Sequence, residues 1–275
     1  EVRAVTGYPP AQRFDGPPVT GQELPLDSVG EAVIEEAIVG FGPDVILTHH
    51  LYAATFRDLL AAYPIPVVRL HYHGPRPDAD LVVHISGWVA RNAGALPGDM
   101  ILTPPAFDDC VAGAHGDAIG FIKPIPHKGV ELVYRLARGF TDRRFLILRG
   151  EWQDLEIIRR RRNVRFMQPV DQMASFYAEC RLLLVPSMSE DAGTVAQEAT
   201  LNGLPCISSS VGGLVETNAG GILLDPCDVG AWSRAIRRLD DQAFYEATVK
   251  SQREALDALG HDDRLAELSD RIAGL

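Results

Sequence analysis

A chain of 275 residues with 46% hydrophobic side chains is long enough to bury two α/β cores. Its formal net charge of −11 argues against broad attraction to nucleic acid or to an anionic membrane surface, so any membrane association is expected to be peripheral. No apolar run approaches the roughly 18 residues of a bilayer span, and no signal-peptide pattern opens the chain, so a cytoplasmic protein is expected.

Apolar runs alternate with helical patterns from end to end. A first series of predicted strands covers 1–7 (EVRAVTG), 44–49, 67–72, 80–86 and 100–105, with helices over 28–40, 52–62 and 88–93. The Pro/Gly-rich stretch 8–27 reads as a long loop with a short strand at Val19. The weakly periodic stretch 104–117 (PPAFDDCVAGAHGD) is the predicted seam between two domains. A second series of strands follows at 118–123, 144–150, 164–168, 181–187, 206–210 and 222–225, with helices over 129–139, 154–161, 171–179, 194–202 and 229–239 and a charged helical end over 241–275. The strands are rich in Val, Ile and Leu at successive positions, which suits parallel strands buried on both faces. Strand–helix alternation with right-handed crossovers gives two Rossmann-like, doubly wound α/β domains, 1–110 and 111–275, the last helix expected to pack back on the first. The first domain lacks the strand and helix with which such domains usually open. Two explanations stay open: the unit is absent from the protein, or upstream residues have been lost.

Charge and cysteine usage add little chemistry. The run Arg159–Arg162 reads as a solvated helix face. The four cysteines, Cys110, Cys180, Cys206 and Cys227, form no C-x-x-C pair, and three lie in or beside apolar runs; reduced buried thiols are expected, not disulfides or a zinc site. Of 26 basic residues only three are lysine, Lys123, Lys128 and Lys250, and two of those stand five positions apart.

Three stretches carry candidate chemistry. In PSMSEDAGTVAQEATLNGLP (186–205) a strand ends, a loop carries Glu190, and a helix starts near Thr194 with Gly193 before it and Glu198 about one turn in. Ligands of doubly wound sheets bind at this edge, and helix starts attract anions. Two acids there also stabilise a helix dipole, the plainer explanation of the pair. In GFIKPIPHKGVELV (120–133), Lys123 ends a strand and Lys128-Gly129 open the next helix, a cradle suited to a diphosphate. Two exposed loop lysines are the alternative. In SSSVGGLVETNAGG (208–221), Gly212-Gly213 allow close backbone approach to a polar ligand, or simply make a turn.

Together these stretches resemble the retaining GT-B glycosyltransferases of the glycosyltransferase family 4 type, relatives of the glycogen, sucrose and mannosyl-lipid enzymes. The likeness covers about 118–240. It rests on Lys123, Lys128-Gly129, Gly150, Pro186-Ser187, Glu190 with Gly193 and Glu198 in an E-x7-E arrangement, Gly203-x-Pro205, and Gly212-Gly213 with Glu216. The resemblance implies a GT-B fold with a cleft between its domains. It implies a nucleoside-diphosphate sugar donor held by Gly129, Gly150, Gly193, Thr194, Glu198, Gly212 and Gly213, with Lys123 and Lys128 on the diphosphate. Glu190 faces the sugar and Glu198 the ribose hydroxyls. A small-molecule, lipid or glycan acceptor is implied, with no metal and no cofactor beyond the donor. The family often places a histidine after the strand at 67–72; His71 and His73 both compete for that place, with His73 preferred because Gly74 follows. The sequence departs from the family at Lys123, where Arg is commoner; at Glu190-Asp191-Ala192-Gly193, which replaces E-G-F-G; and in lacking the Gly-rich loop after the first strand.

Other readings stand beside this one. His49, His50, His71 and His73 suggest a metal cluster only weakly, because no acid or Cys accompanies them at ligand spacing. A degenerate nucleotide-sugar-binding domain or partner subunit is the main alternative to an enzyme; a sugar-nucleotide epimerase or hydrolase is a further one. A dinucleotide oxidoreductase is disfavoured because no G-x-G-x-x-G follows a strand.

Overall fold

A computed structural model describes residues 3–6, 20–23, 31–49, 61–106, 110–112, 115–150 and 161–275, with backbone alone at 3–6, 20–23, 31, 33, 34 and 49. Positions 52–60 and 154–160 of two predicted helices, Arg159, Arg160 and His50 lie outside the described residues. So do 8–19 and 24–27 of the predicted loop.

Strands β1 (Arg3–Thr6) and β2 (Thr20–Glu23) form a parallel pair. The strand expected at Val19 is β2, one residue later. Helix α1 (Glu31–Phe41) leads to a four-stranded parallel sheet, β3 (Ile46–His49), β4 (Val67–His71), β5 (Leu81–His84) and β6 (Met100–Ile101), in sequential order. Helix α2 (Gly87–Ala93) follows β5; Ser86 caps it by accepting from Val89 N–H.

The second sheet has β7 (Ala118–Ile122), β8 (Phe145–Leu148), β9 (Val164–Met167), β10 (Cys180–Val185), β11 (Cys206–Ser209) and β12 (Ile222–Leu224), in the order β12-β11-β10-β7-β8-β9, with all neighbours parallel. The chain winds outward from β7 to β9, returns to β10 and winds the other way. Its switch point is therefore the β7/β10 boundary, where the crossovers part and leave a crevice.

Two-residue periodicity divides the second core. Phe145, Ile147, Leu182 and Leu184 face α3 (Val130–Gly139) and α7 (Val229–Arg238), meeting Val133, Leu136, Trp232 and Ile236. Leu146, Leu148, Leu183 and Val185 face the other way, onto Phe176 and Tyr177 of α4 (Ala174–Tyr177) and Ala196 and Ala199 of α5 (Thr194–Leu201). Both faces are covered, so these strands read as unbroken apolar runs. After α6 (Leu214–Thr217), β12 and α7, the chain ends in α8 (Gln242–Asp257) and α9 (His261–Ala273). Leu268 and Ile272 of α9 pack on Val68, Leu81, Val83 and Met100 of the first sheet, and Arg271 Nη1 donates to the Gly98 carbonyl at 3.0 Å.

Candidate active site

The site is built at the carboxyl edge of the second sheet, at its switch point. Lys123 follows β7 with φ 62°, the one positive value at a non-glycine among the described residues. Its N–H donates to Leu148 C=O and its carbonyl accepts from Ile125 N–H, each at 2.8 Å, so the chain leaves the sheet in a tight turn. A single 3-10 turn, Pro126–Lys128, and Gly129 at φ 82° then open α3. A Cβ at Gly129 would stand 2.0 Å from the Pro186 carbonyl oxygen, so only glycine lets this turn lie against the loop after β10. Met188 N–H donates to the His127 carbonyl at 2.7 Å and fixes the two loops side by side.

That contact delivers Lys128 to Glu190. The ammonium Nζ lies 2.5 Å from Glu190 Oε2, and Ser187 O–H donates to the same oxygen at 3.0 Å. Lys128 is 23% exposed and Glu190 15%, so a strong charge-assisted bond forms out of bulk water. A cavity of about 120 Å³ opens here, lined by Lys123, Lys128, Ser187, Glu190 and Val195 among others. Lys123, Lys128 and Glu190 are thus brought together from three separate loop positions.

Helix α5 begins at Thr194, with no side-chain cap. Gly193 turns into it at φ 75°, and a Cβ there would stand 2.5 Å from Leu214 Cδ2. Glu198, farther along α5, accepts from the Tyr177 hydroxyl at 2.6 Å. Burial first, then the Glu198 charge, pushes that hydroxyl far above its ordinary pKa, so Tyr177 stays a donor. Gly212 and Gly213 serve the same loop. A Cβ at Gly212 would stand 1.8 Å from the Glu190 carbonyl oxygen and one at Gly213 2.3 Å from that of Asp191, while Gly213 N–H donates to Glu190 C=O at 2.9 Å. Close approach at this pair is to the protein's own backbone. Gly150 lies just past β8, half-buried, and does not line the cavity.

The first domain faces this loop across the cleft. Ser86 O–H donates to the Asp191 carbonyl at 2.6 Å. Glu216, whose motif position gave no hint of a partner, accepts from Gly87 N–H at 2.7 Å and from Arg91 Nη2 at 3.0 Å. Tyr72, Trp88, Ile85 and Val89 pack with Ala192. His73, 57% exposed, places Nδ1 3.5 Å from Asp191 Oδ2. His71 is instead buried, its Nδ1 3.1 Å from His84 Nδ1. His84 Nε2 lies 3.1 Å from Asp99 Oδ2, and Asp99 also accepts from Arg76 Nε at 2.7 Å and Nη2 at 2.6 Å. The two histidines thus have separate surroundings, and no group of three His, Cys, Asp or Glu suited to a metal ion occurs among the described residues.

Cys110, Cys180 and Cys206 are buried free thiols, and burial pushes Cys180 up to about 12; Cys227 is exposed. No helix among the described residues is long and apolar enough to cross a membrane. Tyr177, His84 and Asp99 escaped sequence reading because none stands in a loop at the carboxyl edge of the second sheet, and only tertiary packing supplies their partners.

Two parallel α/β sheets, the second doubly wound, and the match to GT-B structures over nearly the whole chain make this a GT-B fold of the α/β class. Among solved structures the chain is similar to sucrose-phosphate synthase from Thermosynechococcus elongatus, with TM-score 0.75, 18% identity, and 95% of this chain and 83% of that one covered. It is similar also to the Anabaena protein HepE in complex with UDP and glucose, with TM-score 0.75, 16% identity, and 94% and 87% covered. Residues 117–242 match the family described as Glycosyl transferases group 1. Curated relatives include the D-inositol 3-phosphate glycosyltransferase of Nocardioides sp. (strain ATCC BAA-499 / JS614), 40% identical over 89 residues, 30% of this chain and 19% of that protein. The protein of that name from Mycobacterium sp. (strain JLS) is 30% identical over 237 residues, 79% of this chain and 48% of its own length. The chain spans about half the length, or less, of the curated relatives it matches.

Proposed function

We propose that the chain carries the donor site and cleft of a retaining glycosyltransferase. It would move a hexose-type sugar from a nucleoside-diphosphate sugar to a hydroxyl of a small-molecule, lipid or glycan acceptor, in the cytoplasm. The observation that carries this reading is the meeting of Lys123, Lys128 and Glu190 around one cavity at the sheet's switch point, with Glu198 on the adjoining helix. The group 1 family match over the same residues supports it, and the relatives' printed name supports a hydroxyl acceptor on a phosphorylated polyol.

In this mechanism Lys123, Lys128 and the first amides of α5 stabilise the negative charge that develops on the leaving diphosphate. Those groups do the work a divalent ion would otherwise do, and the donor is a substrate, so no cofactor is proposed. Glu190, held by Lys128 and Ser187, orients the sugar, and Glu198, held by Tyr177, takes the ribose hydroxyls. The acceptor oxygen forms its bond to the anomeric carbon on the face the diphosphate leaves. The acceptor proton passes to the departing phosphate oxygen, and configuration is retained without a protein nucleophile. His73 guides the reacting sugar from the first domain.

The test is thermal stabilisation by UDP, GDP and dTDP and their hexose conjugates, without added metal, on the chain and on Glu198→Ala. One nucleotide is expected to raise Tm in the parent and not in the variant. Lys128→Ala is then expected to cut turnover by on the order of 10²-fold or more. No shift with any nucleotide would overturn the donor site. A shift without transfer to any acceptor would leave a nucleotide-sugar-binding module in place of the enzyme.

A further inference from the structure

Loop 72–76 joins β4 to the rest of the first domain and carries two residues that lean on the donor loop, Tyr72 and His73. It turns at Gly74, φ 87°. Its anchors lie at its two ends. At the start, the His71 carbonyl accepts from Ile85 N–H at 3.1 Å and the His71 ring meets the His84 ring. At the finish, Arg76 N–H donates to Ala93 C=O at 3.1 Å and the Arg76 guanidinium grips Asp99 with two bonds. Both ends therefore converge on one buried carboxylate: Asp99 is 4% exposed and His84 is fully buried.

The hydrogen bonds fix where the protons sit. An ionised carboxylate only accepts, so His84 carries its proton on Nε2, facing Asp99. With that ring neutral, its Nδ1 is a lone pair and accepts from His71 Nδ1. Leu96 N–H also donates to Asp99 at 2.9 Å. Every group facing Asp99 is a donor, so a carboxamide in its place sets N–H against N–H on one side.

Resting on the transferase reading, we infer that Asp99 is a positioning residue for the transfer. Through His84 and Arg76 it fixes both ends of loop 72–76 and sets where His73 meets Asp191 across the cleft. It touches no residue of the donor cavity, so it acts on turnover and leaves donor affinity alone.

The experiment compares the full chain with Asp99→Asn, His73→Ala and the double variant, reading UDP release from UDP-glucose and amide hydrogen exchange. Asp99→Asn is expected to lower kcat by on the order of 10²-fold, the cost of a misplacement near 1 Å, with KM for UDP-glucose changed little. Added to His73→Ala it is expected to cost nothing further, because both act through one ring. Losses that multiply, or an unchanged kcat in Asp99→Asn, would overturn the inference. Exchange at 72–76 is expected to rise at least about tenfold in Asp99→Asn while β7 to β12 stay protected. Unchanged loop exchange would overturn the anchor even in a chain that releases no UDP. A loosened loop in such a chain would uphold the anchor and sink UDP-glucose as the donor instead. If Asp99→Asn does not fold, His84→Gln serves with the same readouts, since it keeps an N–H toward Asp99 and removes the ring that His71 meets.

Discussion

Lys123 shows how a single residue can be held in an uncomfortable backbone by its surroundings. A side chain at φ 62° costs roughly 1–2 kcal/mol against glycine, because Cβ crowds its neighbouring carbonyl. Comparing Lys123→Gly with Lys123→Ala isolates that cost, since both remove the charge and only one relieves the backbone. The glycine variant should unfold at higher denaturant, by about 1 kcal/mol over the alanine variant, with both losing transfer activity. Equal stabilities would show that this backbone carries no strain. Gly129 has the opposite requirement: Gly129→Ala adds a Cβ 2.0 Å from the Pro186 oxygen at the same kind of φ. The residues that meet here were legible in the sequence because lysine is scarce and each stood just past an apolar strand. Asp99 and Tyr177 were not, because a carboxylate between two strands or a tyrosine at a helix end is an everyday surface or core residue until a distant partner is known.

At the scale of elements the pattern was read closely where burial was two-sided. All four residues of β8 are buried, and its predicted span, 144–150, brackets the observed Phe145–Leu148. Edges were read less well. The strand expected over 100–105 pairs only at Met100–Ile101, since Pro104 and Pro105 lack the N–H that a ladder needs, and the helix expected over 171–179 is the single turn α4. Composition also gave no sign of how the seam is fastened. Gln197 and Asn202 of the α5 region hold it: Gln197 Nε2 donates to Pro104 C=O at 3.0 Å, and Asn202 donates to Cys110 C=O at 3.1 Å and accepts from Ala112 N–H at 2.8 Å. Asn202 is 3% exposed, so Asn202→Ala strands two backbone groups with little water to replace it. Each orphaned group costs about 1–3 kcal/mol, so a loss near 2 kcal/mol or more is expected in urea unfolding. A loss under about 0.5 kcal/mol, the range of ordinary surface changes, would show that the seam is not fastened there.

For the whole molecule, the shifted histidines and paired carboxylates push stability the same way with pH, while the buried tyrosines and thiols, raised by burial, act only on the alkaline side. Burial first, then His84, lowers the His71 pKa, although the carbonyls of His73 and Pro75 pull it back. Burial likewise lowers His261, against the pull of Asp262. A histidine with a depressed folded pKa binds fewer protons folded than unfolded, so its contribution is complete above the unfolded value near 6.5 and fades as pH falls below it. Carboxylates add a second, more acidic step. Burial alone would raise Asp99, yet Arg76, the Leu96 N–H and His84 hold it well below the usual carboxylate range. Arg143 lowers Asp240, although that group is half-exposed and its share is screened. These contributions are present above the unfolded carboxylate pKa and are lost as pH falls through the folded one. Urea midpoints measured from about pH 8 down to about pH 3 should therefore stay level to about pH 6.5, decline gently through the histidine range, and fall steeply below about pH 4. His261→Asn should flatten the gentle limb in part and leave the steep one in place, while Asp99→Asn should reduce the steep one. A midpoint that rises as pH drops from 7 to 5 would contradict the histidine assignments, because it requires the folded chain to bind more protons than the unfolded one.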